Sequence, residues 1–149
     1  MRLSQKIVLR ALAIGLVASL IASGAASARS LTVRDEGYLR FVTSSGSQVI
    51  DEGSVRGTLP GKGRVHFTYN GNPVVYASFV IKGAGWSLYG RANCRLSNPN
   101  SPAPSFRGML TLTGGAGRYA RAHGSGELFG VFYRRSYALD VQAIGRLHY

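Results

Sequence analysis

Hydrophobic and polar residues alternate along most of this 149-residue chain, in short runs separated by glycine, proline and asparagine. Alternation with a period of two marks a strand with one buried and one solvated face. Eight such runs are predicted, at residues 38–43, 49–59, 64–70, 74–82, 86–96, 106–113, 122–133 and 136–149. In the third, Val65, Phe67 and Tyr69 share one face while His66, Thr68 and Asn70 share the other. The fifth gathers Trp86, Leu88, Ala92, Cys94 and Leu96. The eighth sets Tyr137, Leu139, Val141, Ala143 and Leu147 opposite Asp140, Gln142, Arg146 and His148. Tyr133, Tyr137, Val141 and Ile144 also satisfy helical spacing there, but aromatic content and Gly145 favour a strand.

The breaks carry turn chemistry. Pro60-Gly61-Lys62-Gly63, Asn70-Gly71-Asn72-Pro73 and Gly83-Ala84-Gly85 read as turns, as does the glycine run at 114–117. The longest loop is the proline-rich 98–104, because proline lacks the donor a central strand needs. Eight short strands joined by short turns predict an all-β fold. The expected architecture is an eight-stranded antiparallel, mostly up-and-down barrel, since closure removes exposed edges; a two-sheet β-sandwich is the alternative. Residues 29–37 are expected to form a polar arm ahead of the first strand, so that 29–149 make one barrel domain.

Residues 1–28 read differently. A basic start with Arg2, Lys6 and Arg10, an apolar run over 11–22, and small residues at Ala26 and Ala28 match a cleavable signal peptide with cleavage before Arg29. A retained anchor would need ~20 apolar residues. The expected location is secreted or periplasmic. Losing those three cations leaves 15 positive and 6 negative residues, a net charge of +9. A basic exported protein is drawn to anionic polymers by an attraction that salt screens, so an anionic envelope polymer is a candidate partner. Export makes nucleic acid an unexpected one.

Candidate chemistry is sparse. The single Cys excludes an internal disulfide, and Cys94 lies on the apolar face of its strand, where a buried inert thiol is expected. His66, His123 and His148 lack ligand spacing, so no metal site is predicted, and no cofactor motif is present. Asp51-Glu52 reads as a polar turn pair beside a glycine. Glu127 and Asp140 lie on neighbouring predicted strands; facing inward, either could serve as an acid or base, and facing outward, each would pair with arginine.

The segment 113–126, Thr-Gly-Gly-Ala-Gly-Arg-Tyr-Ala-Arg-Ala-His-Gly-Ser-Gly, resembles the glycine-rich signature of dirigent proteins and allene oxide cyclases. Gly114, Gly115, Gly117, Tyr119 and Gly124 fall in register with it, while Ala116 and His123 stand where that signature usually has Thr and Arg. The resemblance implies an eight-stranded barrel with an apolar cavity, a structural turn at those glycines, Tyr119 covering one barrel end, and a dimer or trimer. The expected function is a non-catalytic barrel binding a small apolar or phenolic ligand or an envelope component, with Trp86, Tyr119 and Tyr137 as candidate ligand contacts. An isomerase or cyclase working in the cavity, and a small membrane-embedded barrel, are the alternatives. Gly124, Gly126, Gly130 and Gly145 are expected to leave room inside.

Overall fold

The structure, a computed structural model, describes residues 28–149, so all but the last residue of the segment 1–28 read as a signal peptide lies outside the described residues. Eight strands follow one another: β1 (Ser30–Ser45), β2 (Gln48–Gly57), β3 (Gly61–Thr68), β4 (Val74–Gly83), β5 (Trp86–Ser97), β6 (Ser105–Ala116), β7 (His123–Tyr133) and β8 (Ala138–His148). Each pairs antiparallel with its chain neighbours, and β1 pairs with β8, closing the sheet into an up-and-down barrel. The sandwich alternative is not what forms.

Burial follows the alternation. In β3 the buried residues are Gly63, Val65 and Phe67, and in β5 Leu88, Ala92, Cys94 and Leu96 point inward between exposed Tyr89, Arg91, Asn93 and Arg95. Along β8, Leu139, Val141 and Ala143 line the interior and Leu147 is fully buried. The interior packs as two clusters. One, at the end where Arg29 pairs with Tyr149, holds Leu59, Trp86, Leu88, Tyr119, Ala122 and Leu147. The other, toward the opposite end, is built on Leu39, Val49, Phe67, Cys94, Leu128 and Phe132.

The first strand starts much earlier than its pattern suggests. Residues 30–37, expected as a free polar arm, are strand, with Ser30 opposite His148 and Gly37 opposite Val141. Thr32, Arg34 and Glu36 face outward, so polar residues predominate in a segment whose inward set is Leu31, Val33, Asp35 and Gly37. β6 likewise runs through Gly114, Gly115 and Ala116. A register shift between Tyr89 and Gly90 leaves Thr113 unpaired as a bulge, and the chain turns only at a single 3-10 turn, Gly117–Tyr119.

The interior glycines serve close backbone approach more than empty space. Gly126 and Gly145 stand opposite each other, and a Cβ built on either would come within 2.8 Å of the other's Cα. A Cβ on Gly130 would collide with the Asp140 carbonyl oxygen, and one on Gly124 with that of Arg146. These four glycines let β7 and β8 coil tightly. Gly37, Gly63 and Gly145 are the ones that border the cavity described next.

Candidate functional site

A cavity of about 180 Å³ occupies the middle of the barrel between the two clusters. Its wall draws on all eight strands and is apolar: Leu39, Val65, Phe79, Ala92, Leu110 and Val141 are representative. Alternation puts these side chains inward, and the mismatch between small residues (Ala77, Ala92, Ala143) and the barrel's diameter leaves the space unfilled. Arg64, Ser125 and Arg146 border it as exposed, outward-register residues beside Gly63, Gly126 and Gly145. Cys94 lies on the wall, where burial pushes its thiol up to about 11 and keeps it protonated.

Two acids face inward. Asp35, 6% exposed, lies on the cavity wall, and its Oδ1 accepts the Leu59 amide at 2.9 Å. Burial raises its pKa, opposed by the Leu59 and Thr58 amides. Asp51 is fully buried, and neither carboxylate oxygen has a hydrogen-bond partner among the described residues. Desolvation pushes it up to about 7 against the field of Arg40. The pair Asp51-Glu52, expected as a turn, is mid-strand instead: Asp51 pairs with Phe41 and Val65, while Glu52 faces out to a salt bridge with Arg64. Six residues of β1 separate Asp35 from Phe41, roughly 20 Å of strand, so the acids occupy different levels of the barrel.

Aromatic rings gather at both ends of the barrel. At the end where Arg29 pairs with Tyr149, Tyr119 stands edge-on to Trp86 (5.1 Å between centroids) and to Tyr149 (4.9 Å), with the Arg118 guanidinium over it. At the other end Phe132 and Tyr69, both on the cavity wall, pack with Tyr137, and Tyr137 with Phe41. Tyr137 is 38% exposed and holds φ +56°, an uncommon backbone state for a bulky residue.

Two of the three candidate ligand contacts, Trp86 and Tyr119, meet in one aromatic group, Tyr137 sits in the other, and the cavity wall includes none of them. Glu127 and Asp140 face outward. Glu127 accepts from Arg107 at 2.8 Å, and Asp140 accepts from Arg40 at 3.1 Å and from the Tyr133 hydroxyl at 3.3 Å. Neither acid reaches the interior. Of the four signature glycines, Gly117 alone is in the turn, at φ +64°; Gly114 and Gly115 end β6, and Gly124 begins β7. His123 and His148 stack across β7 and β8 at 5.3 Å, with His66 elsewhere, and the described residues hold no group of three metal-ligating side chains.

Asp35 and Asp51 are what sequence reasoning missed. A signal existed in principle: extending the alternation of 38–43 back through Leu31 and Val33 places Asp35 on the inward face. No protein family, curated protein or solved structure matches this chain.

Proposed function

We propose that this is an exported, non-catalytic barrel that carries a small apolar molecule in its interior. The observation that carries the reading is the 180 Å³ apolar cavity at the barrel centre, a volume comparable to the about 150 Å³ in which an engineered apolar cavity binds benzene. A well-formed apolar pocket with a few polar groups is the usual form of a small-molecule site. The outward, arginine-paired positions of Glu127 and Asp140 support binding over chemistry by those acids. The resemblance of 113–126 to dirigent proteins and allene oxide cyclases points the same way, toward an apolar interior. Arg40, Arg64, Arg91, Arg107 and Arg146 stand outward along the strands over an apolar interior, the reverse of a lipid-facing barrel, and so favour a water-exposed molecule.

A cavity isomerase or cyclase remains the second reading, because one carboxyl group, Asp35, lies on the wall. The experiment is a thermal-shift screen of small apolar and phenolic compounds at low and high salt, with anionic polysaccharides as the competing class. A ligand at a hundred times its Kd should add about 2.7 kcal/mol of stability. That gain should survive salt and fall in Ala92→Leu, which narrows the cavity. Stabilisation only by polyanions, lost in salt, would move the function to the arginine-rich outer face, where Arg95 stands opposite Arg107. Turnover of a bound compound that Asp35→Asn abolishes without loss of affinity would replace the carrier with the enzyme. Mass spectrometry of the exported form should find Arg29 at its N-terminus.

A further inference from the structure

The cavity is not chemically uniform, and Asp35 on its wall has unused capacity. Its Oδ1 accepts the Leu59 amide; the Thr58 amide, which donates to the Arg34 carbonyl at 3.1 Å, lies near enough to favour the ionised carboxyl; and Oδ2 has no hydrogen-bond partner among the described residues. A carboxylate offers about four acceptor sites. Unlike Asp51, whose oxygens are sealed away from every cavity surface, Asp35 keeps residual exposure and lies on the cavity wall. Around it Val33, Gly37, Val55 and Leu59 provide no donor side chain. A desolvated acceptor with free lone pairs is costly, and a donor arriving with a ligand offsets that cost.

We propose that Asp35 is the recognition group of the cavity, and that the occupant is an apolar molecule about one ring in size bearing a hydrogen-bond donor, an alcohol or an amine. This rests on the carrier reading above. The carboxyl is anchored through Oδ1 to the backbone at the β2–β3 corner, so its position is set before the ligand arrives. The apolar wall fits the ring, and Asp35 fixes its orientation. Selectivity follows from the asymmetry of hydrogen bonding: a ligand of the same size without a donor leaves the acceptor unpaired.

The test is calorimetric titration of the purified protein with four probes of similar size: toluene, benzyl alcohol, benzylamine and acetophenone. Benzyl alcohol and benzylamine should bind at least tenfold tighter than toluene and acetophenone, and Ala92→Leu, which narrows the cavity, should weaken the binding of all four. Asp35→Asn retains an oxygen for the Leu59 amide while presenting an amide donor, so the preference for benzylamine over toluene should fall at least tenfold and acetophenone should gain. If that variant does not fold, the wild-type ratio of benzylamine to toluene affinity should itself collapse as the pH is lowered and Asp35 becomes protonated. Toluene binding as tightly as benzylamine, or a preference that persists in Asp35→Asn, overturns the role of Asp35 and leaves the carrier intact. Absence of binding by all four overturns both.

Discussion

Among single residues, Asp51 departs most from the ordinary rules of burial. It sits in β2 with Val49 and Val55 on the same inward face, and no donor among the described residues reaches it. Its pKa, near 3.9 when unfolded, stands at about 7 in the fold. The folded state therefore holds a proton that the unfolded state has released between those values. Its contribution is fully present below about pH 4, is lost as pH rises toward 7, and is flat above that. At about 1.4 kcal/mol per unit the ceiling is on the order of 4 kcal/mol. The melting temperature of the wild type should fall relative to Asp51→Asn between pH 4 and pH 8, with the variant the more stable at pH 8. Asp35 shifts in the same direction but is common to both proteins, so the difference isolates Asp51. Parallel pH profiles would show that its carboxyl is solvated. Nothing in the letters Asp51-Glu52-Gly53 distinguishes this acid from its neighbour Glu52, because the distinction is one step of strand phase.

Elements in this protein depend on glycine where backbones cross closely. Gly46 and Gly117 have nearly the same left-handed φ, +59° and +64°, in two different turns. Gly46 has open space around it, whereas a Cβ on Gly117 would strike the Gly85 carbonyl oxygen. Gly46→Ala should cost about 1 kcal/mol, the ordinary penalty of that backbone state. Gly117→Ala should cost clearly more, since the β6–β7 connection must shift off the β4–β5 turn. Chemical denaturation of the two variants measures the difference, and equal losses would show that the turn yields freely. Gly117 thus stands at a close backbone approach, although Gly114, Gly115 and Gly124 belong to strands. Sequence could mark the turn's neighbourhood, but β6 continues through Gly114, Gly115 and Ala116, so the turn falls at Gly117–Tyr119.

At the scale of the whole molecule, closure depends on the segment least strand-like in composition. Residues 30–36 hold the β8 stretch from Gln142 to His148. Without them β8 would present an open edge from Gln142 to His148, β2 would lose its partners at Arg56 and Gly57, and the cavity would lose Val33 and Asp35 from its wall. Deleting residues 29–36 should therefore lower the melting temperature and produce self-association, read by sedimentation. A truncated protein that stays monomeric with an unchanged melt would mean that the seam is dispensable. The same seam explains why the cavity is hard to see from letters. It is the residue left when eight inward faces meet, and no local window contains more than two of them.

Period and turn chemistry were sufficient to determine the all-β class, seven of the eight strands to within a few residues, and the inward faces of β3, β5 and β8, because alternation and proline or glycine breaks are local properties. The expected export segment is likewise a local pattern. Local alternation put Asp140 on a polar face and, extended through Leu31 and Val33, would have put Asp35 on the inward one, but only the tertiary structure decided that Glu127 faces out and Asp51 in. Glu127 and Asp140 lie one residue out of phase with the interior, while Asp35 and Asp51 lie in phase with it, and a single step in register reverses a side chain's surroundings. It also decided that the barrel is hollow. Side-chain volume is written residue by residue, but the space it must fill is set by how all eight strands coil and close, and here closure leaves about 180 Å³ with a carboxyl group on its wall.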